Sequence, residues 1–171
     1  MTSRTVFYNI VRFFFLIFLQ TLVLNHIYLG GLINPYLYIY FILLLPFSVP
    51  GWMLLLSSFL LGVGVDLFTN TLGLNAAACV LMAFFRPMVI NLVSSDANSL
   101  IGETPSLRNQ GVKWFIYYAA ILTLIHHFAL FYLEVFRFGE FLMTFLRVIL
   151  SAAFTMMLIM ISEYLLFIRK Q

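Results

Sequence analysis

The chain holds one cysteine, Cys79, two tryptophans and few charges: nine Lys and Arg against six Asp and Glu, together 9% of 171 residues. A lone cysteine excludes an intrachain disulfide and any cysteine-based metal cluster. Its place in an apolar run, far from the first residue, is not that of a lipoprotein anchor. Soluble domains carry about 25% charged residues, so 9% cannot clothe an apolar core in water. No phosphate loop is present, because Gly62-x-Gly64-x-Asp66 lacks both the preceding strand and the lysine. There is no HExxH motif, no GxSxG motif and no Ser–Lys pair in an apolar site. The net charge of +3 is spread over segment ends rather than gathered into the patch that a nucleic acid backbone requires.

What is there is apolar. Hydrophobic residues make up 64% of the chain, with 20 Phe and 9 Tyr, and the mean hydropathy is +1.07. Lipid is the solvent that such a composition fits. Arg4 and Arg12 ahead of the run Phe13 to Leu24 imitate the opening of a signal peptide, but no small-x-small cleavage site follows. That run reads as a retained first helix.

Six apolar segments can be drawn, at 6–29, 36–49, 52–68, 74–93, 114–136 and 141–168. Five approach or exceed the ~20 residues that cross a ~30 Å hydrocarbon layer as a helix. The second, between Pro35 and Pro50 and interrupted by Pro46, is short for an upright span. Charge placement decides its reading. With six crossings and a cytoplasmic N-terminus, seven of the nine basic residues lie inside and only Arg137 and Arg147 outside. If the second segment merely dips in and returns, four lie inside and five outside. The positive-inside rule favours six spans, with both termini cytoplasmic. Trp52 and Trp114 then open helices at the cytoplasmic face, and Tyr28 and Tyr36 flank the first outer loop. The 94–112 loop, with Asp96, Glu103, Pro105 and Arg108, lies in the cytoplasm and is too short for a domain.

Ionisable groups inside a bilayer cost about 2.5 to 3.5 kcal/mol each on insertion scales, so each calls for a reason. Ser58, Gly62 and Asp66 recur at steps of four and share one helix face, where small residues admit a close neighbour. Gly73 follows, and the fourth segment answers with Ala76, Ala77, Ala78, Cys79 and Ala83. The plain reading is a tight hairpin with a snorkelling Asp66. Arg86 and Glu163 lie at matching depth near the cytoplasmic side and can pair; Arg147 can meet Asp66 or Glu134. His126 and His127 stand in mid-membrane about 100° apart on one helix, so they cannot chelate one metal from a single face. His127 and Glu134 do align, but two ligands are too few for a metal site. Hydrogen bonds to a neighbouring helix are the simpler reading of both histidines.

From Ser58 to Val93, an apolar helix with Gly62 and Asp66, then Leu72-Gly73, then an alanine-rich helix resembles the bacterial rod shape-determining protein MreD family. Asn34-Pro35 ahead of the second span, the chain length, the six segments and the basic C-terminus extend the likeness along nearly the whole chain. His126, His127 and Glu134 resemble one branch of that family. The resemblance implies an all-α inner-membrane scaffold without catalytic activity or cofactor. It would bind the single-pass protein MreC and join a cell-elongation complex with MreB, RodA and its transpeptidase partner, which guides lateral peptidoglycan synthesis. The implied fold is similar to the substrate-binding subunits of energy-coupling-factor vitamin transporters, and such a subunit is the main rival reading. A second rival is an intramembrane enzyme using His126, His127 and Glu134.

Overall fold

The computed structural model describes residues 3–27, 33–94, 104–135 and 141–168. Among them the chain is helical and contains no β-strand. The helices are α1 (Ser3–Leu22), α2 (Tyr40–Leu43), α3 (Gly51–Thr69), α4 (Leu74–Val93), α5 (Leu107–Gln110), α6 (Val112–Val135) and α7 (Phe141–Ile168). Five helical stretches are long and apolar enough to cross a membrane: Val6–His26, Gly51–Thr69, Leu74–Val93, Val112–Val135 and Phe141–Leu166. Parts of the expected sequence organisation lie outside the described residues, namely Tyr28, Asp96, Glu103, Arg137, Arg169 and Lys170.

The successive pairs α3 and α4, α4 and α6, and α6 and α7 run antiparallel. The Trp114 Nε1–H donates to Ser94 Oγ at 2.9 Å, joining the end of α4 to the start of α6. At the opposite end the Tyr132 hydroxyl donates to the Phe141 carbonyl at 3.3 Å, joining α6 to α7. Phe18 and Phe68 meet edge to face at 6.2 Å, so α1 and α3 finish side by side. The bundle thus has a near end, with the starts of α1, α3 and α6, and a far end, where those helices finish and α4 and α7 begin. Lateral packing is most extensive for α3 on α4, α4 on α6 and α6 on α7.

The α3–α4 turn is built by two residues in the left-handed region, Asn70 (φ 53°) closing α3 and Gly73 (φ 84°) opening α4. Gly62 allows the two helices to touch through their backbones. A Cβ there would lie 2.3 Å from Ala76 Cα, a distance no side chain tolerates. Ser58, Gly62, Asp66 and Ala83 are all buried in this packing.

The second apolar segment differs from a long helix. It begins without regular secondary structure at 34–36, turns through a 3-10 stretch at Leu37–Ile39, makes one α-turn as α2, and breaks before Pro46. The prolines at 35, 46 and 50 explain the interruption, since each lacks an N–H and disfavours helix in the residue before it. Every residue from Leu37 to Pro46 is buried, with Tyr38, Ile39, Ile42 and Leu43 fully so. The segment therefore runs through the middle of the bundle, wrapped by the long helices. Its neighbours change in order along α6: Tyr36 lies against His127, Tyr38 against His126, the Leu43 carbonyl against Tyr118 and Phe47 against Trp114. From His127 to Trp114 that is roughly 20 Å of helix axis.

Candidate functional site: polar side chains around a buried irregular segment

A backbone that is not regular helix leaves N–H and C=O groups without internal partners. At membrane depth such groups are tolerated only where protein or trapped water satisfies them. The segment from Asn34 to Leu45 meets this condition through polar side chains of four surrounding helices. On α7, Ser151 Oγ accepts from the Asn34 N–H at 3.0 Å and Thr155 Oγ1 accepts from the Tyr36 N–H at 3.1 Å. On α1, Gln20 Nε2 donates to the Pro35 carbonyl at 2.8 Å, while its Oε1 accepts from the Tyr38 N–H at 3.4 Å. On α6, the Tyr118 hydroxyl donates to the Leu43 carbonyl at 3.0 Å. On α4, Arg86 Nη2 donates to the Leu45 carbonyl in a short contact, and Arg86 Nε donates to Tyr118 at 2.7 Å. Arg86 is only 2% exposed. Its charge faces the carbonyls left open where α2 ends, the position at which a helix attracts a cation.

The expected Arg86–Glu163 ion pair does not form. Glu163, 4% exposed, accepts from the Tyr40 hydroxyl at 2.5 Å through Oε1 and from the Leu107 N–H at 3.0 Å through Oε2. It ties the irregular segment to the start of α5, and so to the near-end loop. Equal depth in the membrane did not decide partnership, because the interposed segment separates the two side chains and supplies each with its own partners. Arg147 does meet Glu134, at 3.6 Å, with its guanidinium 4.8 Å over the Phe131 ring.

Asp66 is not a snorkelling residue. It is 6% exposed and caps the N-terminus of α4. Oδ2 accepts from the Ala76 N–H at 2.9 Å, and Oδ1 accepts from the Asn75 N–H at 3.1 Å, from Asn75 Nδ2 at 2.9 Å and from the Thr71 hydroxyl in a short bond. A carboxylate at a helix N-terminus satisfies the orphan donors there and opposes the positive end of the helix dipole.

Both histidines are fully buried, and each makes one hydrogen bond to another element. His127 Nδ1 donates to the Thr123 carbonyl at 2.9 Å, leaving Nε2 to accept from Thr155 Oγ1 at 3.1 Å. His126 has the other tautomer, and the neighbouring network dictates it. Asn75 turns Nδ2 to the Asp66 carboxylate, so its Oδ1 accepts from the Tyr38 hydroxyl at 2.9 Å. With that proton committed, Tyr38 accepts from His126 Nε2 at 2.8 Å. His126 Nδ1 is then a bare acceptor with no partner among the described residues. Glu134, in line with His127 along the helix, turns outward to Arg147 and is 46% exposed. Among the described residues no three His, Cys, Asp or Glu side chains gather to hold a metal.

Sequence reasoning named Asp66, Arg86, His126, His127 and Glu163 but missed Gln20, Tyr38, Tyr40, Asn75, Tyr118, Ser151 and Thr155. A usable signal was present for Gln20, Ser151 and Thr155, which are hydrogen-bonding residues inside otherwise apolar runs. Tyr36, read as flanking the first outer loop, packs its ring on His127 at 5.5 Å and on Phe131 at 5.9 Å.

At the far end, the finishing turns of α1 and α3, residues 34–36 and the start of α4 line a half-open cavity of about 360 Å³. Thr21, Asn25, His26, Asn34, Tyr36, Thr69, Thr71 and Asn75 are its polar lining residues, and Phe68 lines it too. No family model matches the chain, and neither the curated proteins nor the solved structures contain a match to it.

Proposed function

We propose that this chain is a non-catalytic membrane scaffold of the MreD kind, seated in a bacterial inner membrane with both termini in the cytoplasm. Its role is to hold a single-pass MreC-like partner within a cell-elongation complex that includes MreB, RodA and a transpeptidase. The irregular segment is taken as a sixth crossing, one that faces protein on all sides and returns the chain to the cytoplasmic face before α3.

The observation that carries the reading is how the polar side chains are used. Gln20, Arg86, Tyr118, Ser151 and Thr155 hold the backbone of the central segment, and Asp66 caps α4. This is the chemistry of a rigid body rather than of a reaction centre. The outward faces are apolar and aromatic, as on α1, where Phe7, Tyr8, Ile10, Phe14, Phe15 and Phe18 are exposed. A single transmembrane helix could dock there by van der Waals packing.

The test is co-purification of the tagged chain from membranes with an MreC-like protein, together with depletion in a rod-shaped host. Recovery of the partner and rounding of depleted cells are expected. His126→Ala and His127→Ala should restore rod shape in proportion to how much protein accumulates. Normal accumulation without restored shape would favour an intramembrane enzyme. One observation favours the vitamin-transporter subunit, namely the polar far-end cavity. Tight vitamin binding by purified protein, with no effect of depletion on shape, would support that rival.

A further inference from the structure

The far-end cavity has a chemistry of its own, separate from the hydrogen bonds that hold the central segment. No lysine, arginine, aspartate or glutamate lines it among the described residues; the His26 imidazole does. Asp66 stands behind the wall, already engaged by Thr71, Asn75 and Ala76. A charged guest would meet no carboxylate, ammonium or guanidinium among the described lining residues, and an unpaired charge taken out of water is strongly disfavoured. A neutral guest meets a different reception. No hydrogen bond among the described residues engages the Asn34 carboxamide, the Tyr36 hydroxyl or Asn25 Nδ2; Asn25 uses only Oδ1, accepting from Gln20 at 2.8 Å. Thr21 donates its proton to the Ile17 carbonyl at 2.9 Å, which leaves its oxygen able to accept.

The wall therefore offers both donors and acceptors, and the Asn34 carboxamide presents both from one plane. Adjacent hydroxyl groups on a ring, each both donor and acceptor, complement that pattern. The Phe68 and Tyr36 rings can cover the ring's less polar face. Size agrees as well. A cavity of about 360 Å³ lies within the range of small-molecule sites. We propose that the far-end cavity binds a neutral sugar ring, free or as the terminal unit of a glycan. This stands apart from the scaffold reading, since partner recovery and sugar binding are measured separately.

The test is calorimetric titration of the full chain in lipid nanodiscs free of sugar detergent, with glucose, N-acetylglucosamine, glucuronate, glucosamine and pyridoxine as probes. Saturable binding of a neutral sugar, with glucuronate and glucosamine at least tenfold weaker, is expected; each tenfold step corresponds to about 1.4 kcal/mol. Asn34→Ala and Thr21→Val should each weaken neutral-sugar binding about tenfold, as loss of one hydrogen bond to a bound ligand would give. Should neither variant fold, the neutral-against-charged comparison on the unaltered chain decides alone. No saturable sugar binding, equal binding of neutral and charged sugars, or unchanged affinity in both folded variants would overturn the proposal. Binding of pyridoxine without any sugar would also overturn it, in favour of a vitamin site.

Discussion

Replacing Gly62 by alanine adds one methyl group at the point where α3 and α4 are closest. That methyl would sit 2.3 Å from Ala76 Cα, 2.6 Å from Ala76 N and 2.7 Å from Asn75 C. All three are backbone atoms, so no side chain can swing aside. Ordinary contact begins near 3.4 Å, and the helices must separate by about 1 Å. Overpacking of this kind costs about 1 to 3 kcal/mol. The same displacement acts on the Asp66 cap, whose bonds to the Ala76 and Asn75 N–H groups span the same interface at 2.9 and 3.1 Å. Hydrogen bonds to a charged acceptor contribute roughly 1.5 to 3 kcal/mol. Partial loss of the cap puts the expected total at about 3 kcal/mol or more. The assay is unfolding in mixed micelles, read as helix loss against SDS fraction, for Gly62→Ala, Asp66→Asn and the double variant. Because Gly62→Ala already disturbs the cap, the double variant should lose less than the sum of the two single losses. Stability equal to that of the unaltered chain for Gly62→Ala, or strict additivity, would refute the argued link between close approach and capping.

Three further outcomes follow from the same geometry. Arg86→Met leaves the buried Leu45 carbonyl and Tyr118 hydroxyl short of a donor, and should lower stability by about 2 kcal/mol or more on the same SDS assay; Tyr118→Phe should lose somewhat less. Glu134→Gln removes a half-exposed ion pair and should leave stability within about 0.5 kcal/mol of unchanged, whereas a larger loss would mean that the outer face of α6 is a structural contact. Cys79, fully buried, should resist maleimide in the folded protein and react once SDS unfolds it. Fast labelling of the native form would place α4 wrongly.

Much of the helical layout was legible because long apolar runs have one stable form in lipid: α3, α4, α6 and α7 coincide with their drawn segments within two residues, whereas α1 ends at Leu22, short of the drawn 6–29, and is followed by a 3-10 turn at Leu24–His26. The α3–α4 hairpin was readable from Ser58, Gly62 and Asp66 at steps of four, since that spacing puts small and polar groups on a single face. The capping role of Asp66 was not, because it depends on the turn at Asn70 and Gly73 bringing the next helix start back over the carboxylate. The central segment was the hardest part. Hydropathy and proline spacing mark 36–49 as apolar and broken, but they do not say whether the break faces lipid or protein. That answer lies with residues up to about 120 positions away in sequence, such as Thr155 for Tyr36 and Glu163 for Tyr40. The same long-range pairing misled the depth argument for Arg86 and Glu163.

The central claim is that residues 34–48 pass through the bundle from its far end to its near end, held by side chains of the surrounding helices. The most direct measurement uses a Cys79→Ala background, a small change at a fully buried site. Single cysteines at Asn34, Ile42 and Ser48 are then probed in intact cells with a membrane-impermeant maleimide. Asn34→Cys should label from outside, Ser48→Cys only after the membrane is opened, and Ile42→Cys under neither condition until the protein is unfolded. Labelling of Asn34→Cys and Ser48→Cys from the same side would contradict the account.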